Sequence, residues 1–157
     1  MKIITFFLVA LALIASKVTA ADTVQTQLKG IDTVKLEISI SQELVDAGAP
    51  GAKIRTMAEL QLRKAGLKVD KNSTGPILYI TITGCKGPGT ENFAVLVNIS
   101  VNENMKVVRN DTTISSVVWG PDLYLLYLPN GVSQEITDST EARMNLFVND
   151  WLQANPC

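Results

Sequence analysis

The sequence predicts an α+β protein: a two-layer sandwich in which a mostly antiparallel sheet of four to five strands carries two amphipathic helices on one face. The expected order is β-α-β-β-β-β-α. Three observations lead there. Residues 34–40 alternate apolar and polar without a break, the period of a strand with one face buried and one wet. Ile54, Met57, Ala58, Leu62 and Ala65 recur at three- and four-residue steps, the stripe of a helix with one buried side. Beyond that helix lie several short segments rich in β-branched and aromatic residues, and then a second helical stripe. Such a succession buries its apolar faces as a sheet under a helix layer.

Each element has its local cause. Ser41 can cap a short helical turn over 43–47, and Gly48, Pro50 and Gly51 then break the chain. The first long helix ends at Gly66, where a left-handed cap is wanted, and Leu67 can fold back on the last turn. Arg63 and Lys64 in that turn suit the negative end of the helix dipole. Residues 71–76 form a loop and 77–83 a second strand. Phe93, Val95, Val97, Ile99 and Val101 then share one face of a third strand. Glu103 and Asn104 are expected to turn the chain into 105–109, and Asn110 and Asp111 to turn it again into 112–119. After Gly120 and Pro121, residues 122–128 are strongly apolar. A last helix spans about 133–154, with Ile136, Thr140, Met144, Phe147, Val148 and Trp151 as its buried stripe and Pro156 as its stop.

The N-terminus reads as a secretory leader. Lys2 supplies the positive start, residues 3–15 run apolar with only Thr5 interrupting, and Val18 and Ala20 set a small-x-small cleavage site. Cleavage is expected between Ala20 and Ala21. An uncharged run of about 13 residues falls short of the roughly 20 that span a bilayer, so no membrane span is expected after cleavage. The expectation is a signal peptide over 1–20, a single α+β domain over 21–157, and a secreted or periplasmic destination. The full chain holds 14 Lys+Arg against 15 Asp+Glu. Without Lys2 and Lys17 the count is 12 against 15, a net charge of −3 with no basic cluster, which argues against nucleic acid as a partner. The two cysteines, Cys85 and Cys157, are expected to pair in an oxidising compartment. Free thiols or an intermolecular link through Cys157 are the alternatives.

Several short motifs recur together: 62–69 (LRKAGLKV), 76–82 (PILYITI), Val118-Trp119, and 147–152 (FVNDWL) followed by Asn155-Pro156. As a set they resemble small secreted bacterial proteins of unknown function, in which a signal peptide precedes one α+β domain. The order of elements is also similar to envelope lipoproteins that assist lipopolysaccharide assembly or transport. The chain departs from those in having no cysteine after the apolar leader to take a lipid.

Candidate chemistry is sparse. The chain has no histidine, which removes Ser-His-Asp and Cys-His catalysis and most zinc sites. No catalytic, metal or cofactor-binding residue is therefore assigned. Glu135, Asp138 and Glu141 neighbour one another on the last helix and read as a solvated face that complements the helix start. Gly84, Gly87 and Gly89 lead into a strand, with Pro88 removing a donor and no Lys-Ser/Thr following, so they read as a hairpin loop rather than a phosphate cradle. Asn72, Asn98 and Asn110 open glycosylation triplets. The suggestive feature is the run 123–128. It is either a further sheet strand or an exposed patch in which Trp119, Tyr124, Tyr127 and Leu128 meet a partner or an apolar ligand. The expectation is a non-catalytic extracytoplasmic module that binds an envelope or secreted protein. The alternatives are a carrier of a small apolar molecule and, further off, a carboxylate-based hydrolase.

Overall fold

The computed structural model describes residues 26–121, 123–129 and 133–156. The cleavage site at Ala20 and Ala21 lies outside them. A helical turn ending at Leu28 leads into β1 (Thr33–Ile40), α1 (Gln42–Asp46) and α2 (Gly51–Ala65). Then come β2 (Lys68–Val69), β3 (Ile77–Lys86), β4 (Asn92–Val107), β5 (Thr112–Trp119), β6 (Tyr124–Pro129) and α3 (Ser133–Ala154). The class is α+β, and both long helices are amphipathic.

Among the described residues the sheet is mixed and has six strands, where the sequence suggested four to five and mostly antiparallel. Strand order is β2-β1-β3-β4-β5, with β6 also on β4. β1 pairs in parallel with β3, from Lys35 opposite Ile77 to Ile40 opposite Ile82. The cause is the connection: α1 and α2 carry the chain back across the sheet before β3 begins, and such a crossover can only return a parallel strand. β2 is two residues long and pairs in parallel with the start of β1. So short a strand leaves no periodicity to read.

The remaining pairs are antiparallel. β4 is long enough to serve three neighbours. β3 lies on one side of it over 93–102, while on the other side β6 takes 92–97 and β5 takes 101–107. No turn forms at Glu103 and Asn104. They continue the ladder opposite Ser116 and Ser115, and the chain reverses instead over 108–111. Asp111, at φ 60°, supplies the left-handed residue that this turn needs, a conformation that Asp tolerates better than most side chains.

One face of the sheet is the core. Val34 and Leu36, then Leu78, Ile80 and Ile82, then Val95, Val97, Ile99 and Val101 are buried at every second position. Ile54, Ala58 and Leu62 of α2 and Ile136, Met144, Phe147 and Trp151 of α3 close over them. Gly66 caps α2 at φ 96°, and the amide of Leu67 donates back to Leu62 O, as the sequence predicts. Gly84 admits Leu44 of α1 against β3: a Cβ there would lie 3.0 Å from the Leu44 side chain and from Ala94 O. The two long helices run side by side in the same direction, since Lys53 Nζ donates to Gln134 and Gln61 Nε2 to Asn145.

The C-terminal end of α3 is tied to the start of β1. Trp151 Nε1 donates to Ile31 O at 2.7 Å, Asn155 Nδ2 to Leu28 O, and Gly30 N to Asn155 Oδ1. The expected disulfide is not formed at Cys85, which is free and exposed near the far end of β3. Its expected partner, Cys157, lies outside the described residues.

Candidate functional site

The four residues expected to share one surface are divided by the pleat of the sheet. Trp119 and Leu128 belong to the core, at 4% and 5% exposure. Trp119 meets Phe147 edge-on, with centroids 5.0 Å apart, and its Nε1 donates to Asp150 Oδ2 at 2.9 Å. Leu128 lies opposite Phe93 on the helix-covered side. Tyr124 and Tyr127 are accessible, at 48% and 69%, but on opposite faces of β6. Tyr124, opposite Val97, points to the helix side, and Tyr127, opposite Ala94, to the open side. The Tyr127 hydroxyl there accepts from Asn92 Nδ2 at 2.6 Å. The single patch expected from the sequence is thus two surfaces flanking one strand.

Tyr124 stands in a groove of about 680 Å³ between β6 and α3. Pro121, Tyr124 and Leu126 form one wall, and Ala142, Arg143 and Leu146 the other, with Glu135 and Asp138 at the first turns of α3. The lining is largely apolar and the groove opens to solvent. Arg143 is buried, and its guanidinium carbon lies 5.3 Å from the centroid of the Tyr124 ring. The contact fixes the ring as one wall, because a guanidinium is drawn to the negative face of an aromatic ring. Arg143 had no signal in the sequence: on a helix with an acidic start it reads as a solvent-facing charge. The relation that buries it, with Tyr124 on the neighbouring strand, is tertiary.

Among the described residues β6 pairs with β4 alone. β6 reads Tyr-Leu-Leu-Tyr-Leu-Pro, with no charged residue. On its open-side face Leu125, 70% exposed, sits opposite Leu96. An apolar, uncharged edge strand is unusual in a protein that acts alone, since such edges recruit other strands.

The carboxylates of the groove are solvated. Glu135 and Asp138 are exposed, and Asp138 Oδ1 accepts from Gln134 Nε2 at 2.6 Å. Among the described residues no group of three Asp, Glu or Cys side chains gathers as a metal site, and no helix is long and apolar enough to cross a membrane. The Gly84–Gly89 stretch forms the β3–β4 hairpin, closed by Gly87 N donating to Asn92 O and by the Lys86–Glu91 ion pair at 2.8 Å. Asn110 is engaged with Thr112 in the next hairpin.

No protein-family model and no curated protein matches the chain. Among solved structures, the PelC dodecamer from Paraburkholderia phytofirmans, in two crystal forms, is 15% and 14% identical. Coverage is 78% of this chain and 86% or 87% of that one, with a TM-score of 0.40 in both cases. A minor lipoprotein from Acinetobacter baumannii is 11% identical over 80% of this chain and 87% of that one, with a TM-score of 0.34. These are coarse likenesses of fold.

Proposed function

We propose that this protein is a non-catalytic extracytoplasmic binding module whose docking site is the free edge of β6 with the groove beside it. The observation that carries the reading is the edge itself. It is an uncharged strand with one side unpaired among the described residues, flanked by Tyr124 in an apolar groove and by Leu125 and Tyr127 on the other face. A strand of a partner protein added there would satisfy backbone groups and cover both apolar faces at once. The leader-like residues 1–20 support placing the module outside the cytoplasm. The groove carboxylates sit on a helix start in water rather than facing each other in a dry cleft, which supports a binding role over hydrolysis.

A photo-crosslinking residue placed at Leu146, on the groove rim, tests this in the native host. The expected result is a discrete protein adduct from position 146 and none from Val45, which is similarly exposed on α1. Absence of any adduct at 146 contradicts the proposal. A small apolar molecule retained through purification, seen by native mass spectrometry and lost in Tyr124→Ala, would favour the carrier instead.

A further inference from the structure

The groove beside β6 is graded along its length. β6 ends at Pro129 and α3 starts at Ser133, so the first turns of the helix lie near the end of the strand. The helix then runs back along the strand until Arg143 reaches Tyr124. Its wall therefore presents Glu135 and Asp138 at one end of the groove and Ala142 and Leu146 at the other. Charge sets those two carboxylates apart. Glu37, Glu59, Glu91 and Asp111 each pair with a lysine or arginine. Glu135 and Asp138 form no ion pair among the described residues, and Asp138 Oδ1 accepts from the neutral amide of Gln134. Arg143, the cation in the lining, is buried against Tyr124. Beside Asp138, the Ser139 hydroxyl is shielded from water and has no hydrogen-bond partner among the described residues.

We infer that the protein segment docking at β6 is an apolar strand carrying a lysine or arginine, and that this cation seats at Glu135 and Asp138. The inference rests on the proposed role of the β6 edge and gives the chemistry of its occupant. A strand added to the free side of β6 sends alternate side chains to the two faces of the sheet. Those on the open side meet Leu125 and Tyr127, which apolar side chains match. Those on the helix side enter the groove. Beside Tyr124 and Leu146 an apolar side chain fits again. Toward the start of α3 the requirement changes. Residues three apart on a helix are neighbours, so Glu135 and Asp138 place two like charges together at the rim. An acidic side chain there meets repulsion, and a cation relieves it. Lysine and arginine suit the step from apolar to charged, because the aliphatic stem covers Leu126 while the head stays with the carboxylates in water. The head also carries the N–H donors that the Ser139 hydroxyl lacks.

The test is the photo-crosslinker at position 146 in the native host, with the captured segment sequenced by tandem mass spectrometry. Asp138 and Glu135 lie roughly 12 and 17 Å from Leu146 along α3, about four to five residues of extended chain. The captured segment is expected to hold a lysine or arginine within that span of the crosslinked residue. Glu135→Lys with Asp138→Lys should cut the adduct by about 10-fold or more, because two cations then face a third. Glu135→Gln with Asp138→Asn, which keeps the shape of the groove, should weaken it less. Glu141→Lys should leave it unchanged, since Glu141 lies on the same helix but lines the side toward α2. Circular dichroism checks that the variants fold. Changing the captured basic residue to glutamate should restore the adduct in the double-lysine variant. A captured segment without a lysine or arginine in that span, or an adduct indifferent to the double-lysine change, overturns the inference alone and leaves the binding role standing. No adduct overturns both.

Discussion

The guanidinium of Arg143 lies beneath the ring of Tyr124, 5.3 Å from its centroid, and this contact holds the rim of β6 against α3. A buried arginine also contributes its aliphatic stem to packing. Arg143→Ala should therefore destabilise the protein by about 1–3 kcal/mol and loosen the groove wall. Urea denaturation measures the first effect, and Tyr124 side-chain NMR the second. An unchanged midpoint would mean that the contact carries no weight.

The latch between the C-terminal end of α3 and the start of β1 should be separable from the rest of the core. Trp151→Phe keeps an aromatic ring but loses the pyrrole part of the indole and with it the 2.7 Å bond to Ile31 O, leaving a buried carbonyl without that donor. A loss of about 1–2 kcal/mol follows. Asn155→Ala should act more locally, because it frees Leu28 O and Gly30 N. Hydrogen exchange should accelerate over 26–32 while β3 and β4 keep their protection. Uniform acceleration would show that the latch is part of the global unit.

Cys85 should react with iodoacetamide in the folded protein without reductant, at the rate of an exposed thiol. Mass measurement of the intact chain reads the result. Full protection until reductant is added would restore the Cys85–Cys157 bridge and contradict the free thiol at Cys85.

Gly66→Ala should cost about 1 kcal/mol, because alanine is strained at φ 96° while open space surrounds the position. Thermal unfolding measures it, and an unchanged melting temperature would mean that the cap relaxes without loss.

Much of this fold was legible because its signals are local. The α2 stripe, the Gly66 cap, the alternation of β1 and the whole span of α3 depend on residues within a turn or two of one another. What escaped was pairing. The parallel partnership of β1 with β3 is decided by the crossover, and β2 owes its existence to the neighbour it meets. Glu103 and Asn104 have turn chemistry, yet Ser116 and Ser115 opposite them hold the ladder straight. The site was legible to the same depth. The apolar run marked the right strand, but only the pleat assigns Trp119 and Leu128 to the core and sends Tyr124 and Tyr127 to opposite faces. Arg143, whose charge suggests solvent, becomes a groove wall only when β6 lies beside α3.

The central claim is that the edge of β6 is where this protein binds. Backbone hydrogen exchange of Tyr124 to Leu128 tests it most directly, measured in the undiluted native fraction and again in the purified protein at high dilution. The account predicts that the amides pointing away from β4 are slow in the first state and fast in the second, while those bonded to β4 do not change. Equal and rapid exchange in both states would contradict it, because an edge that never acquires a partner is not a docking site.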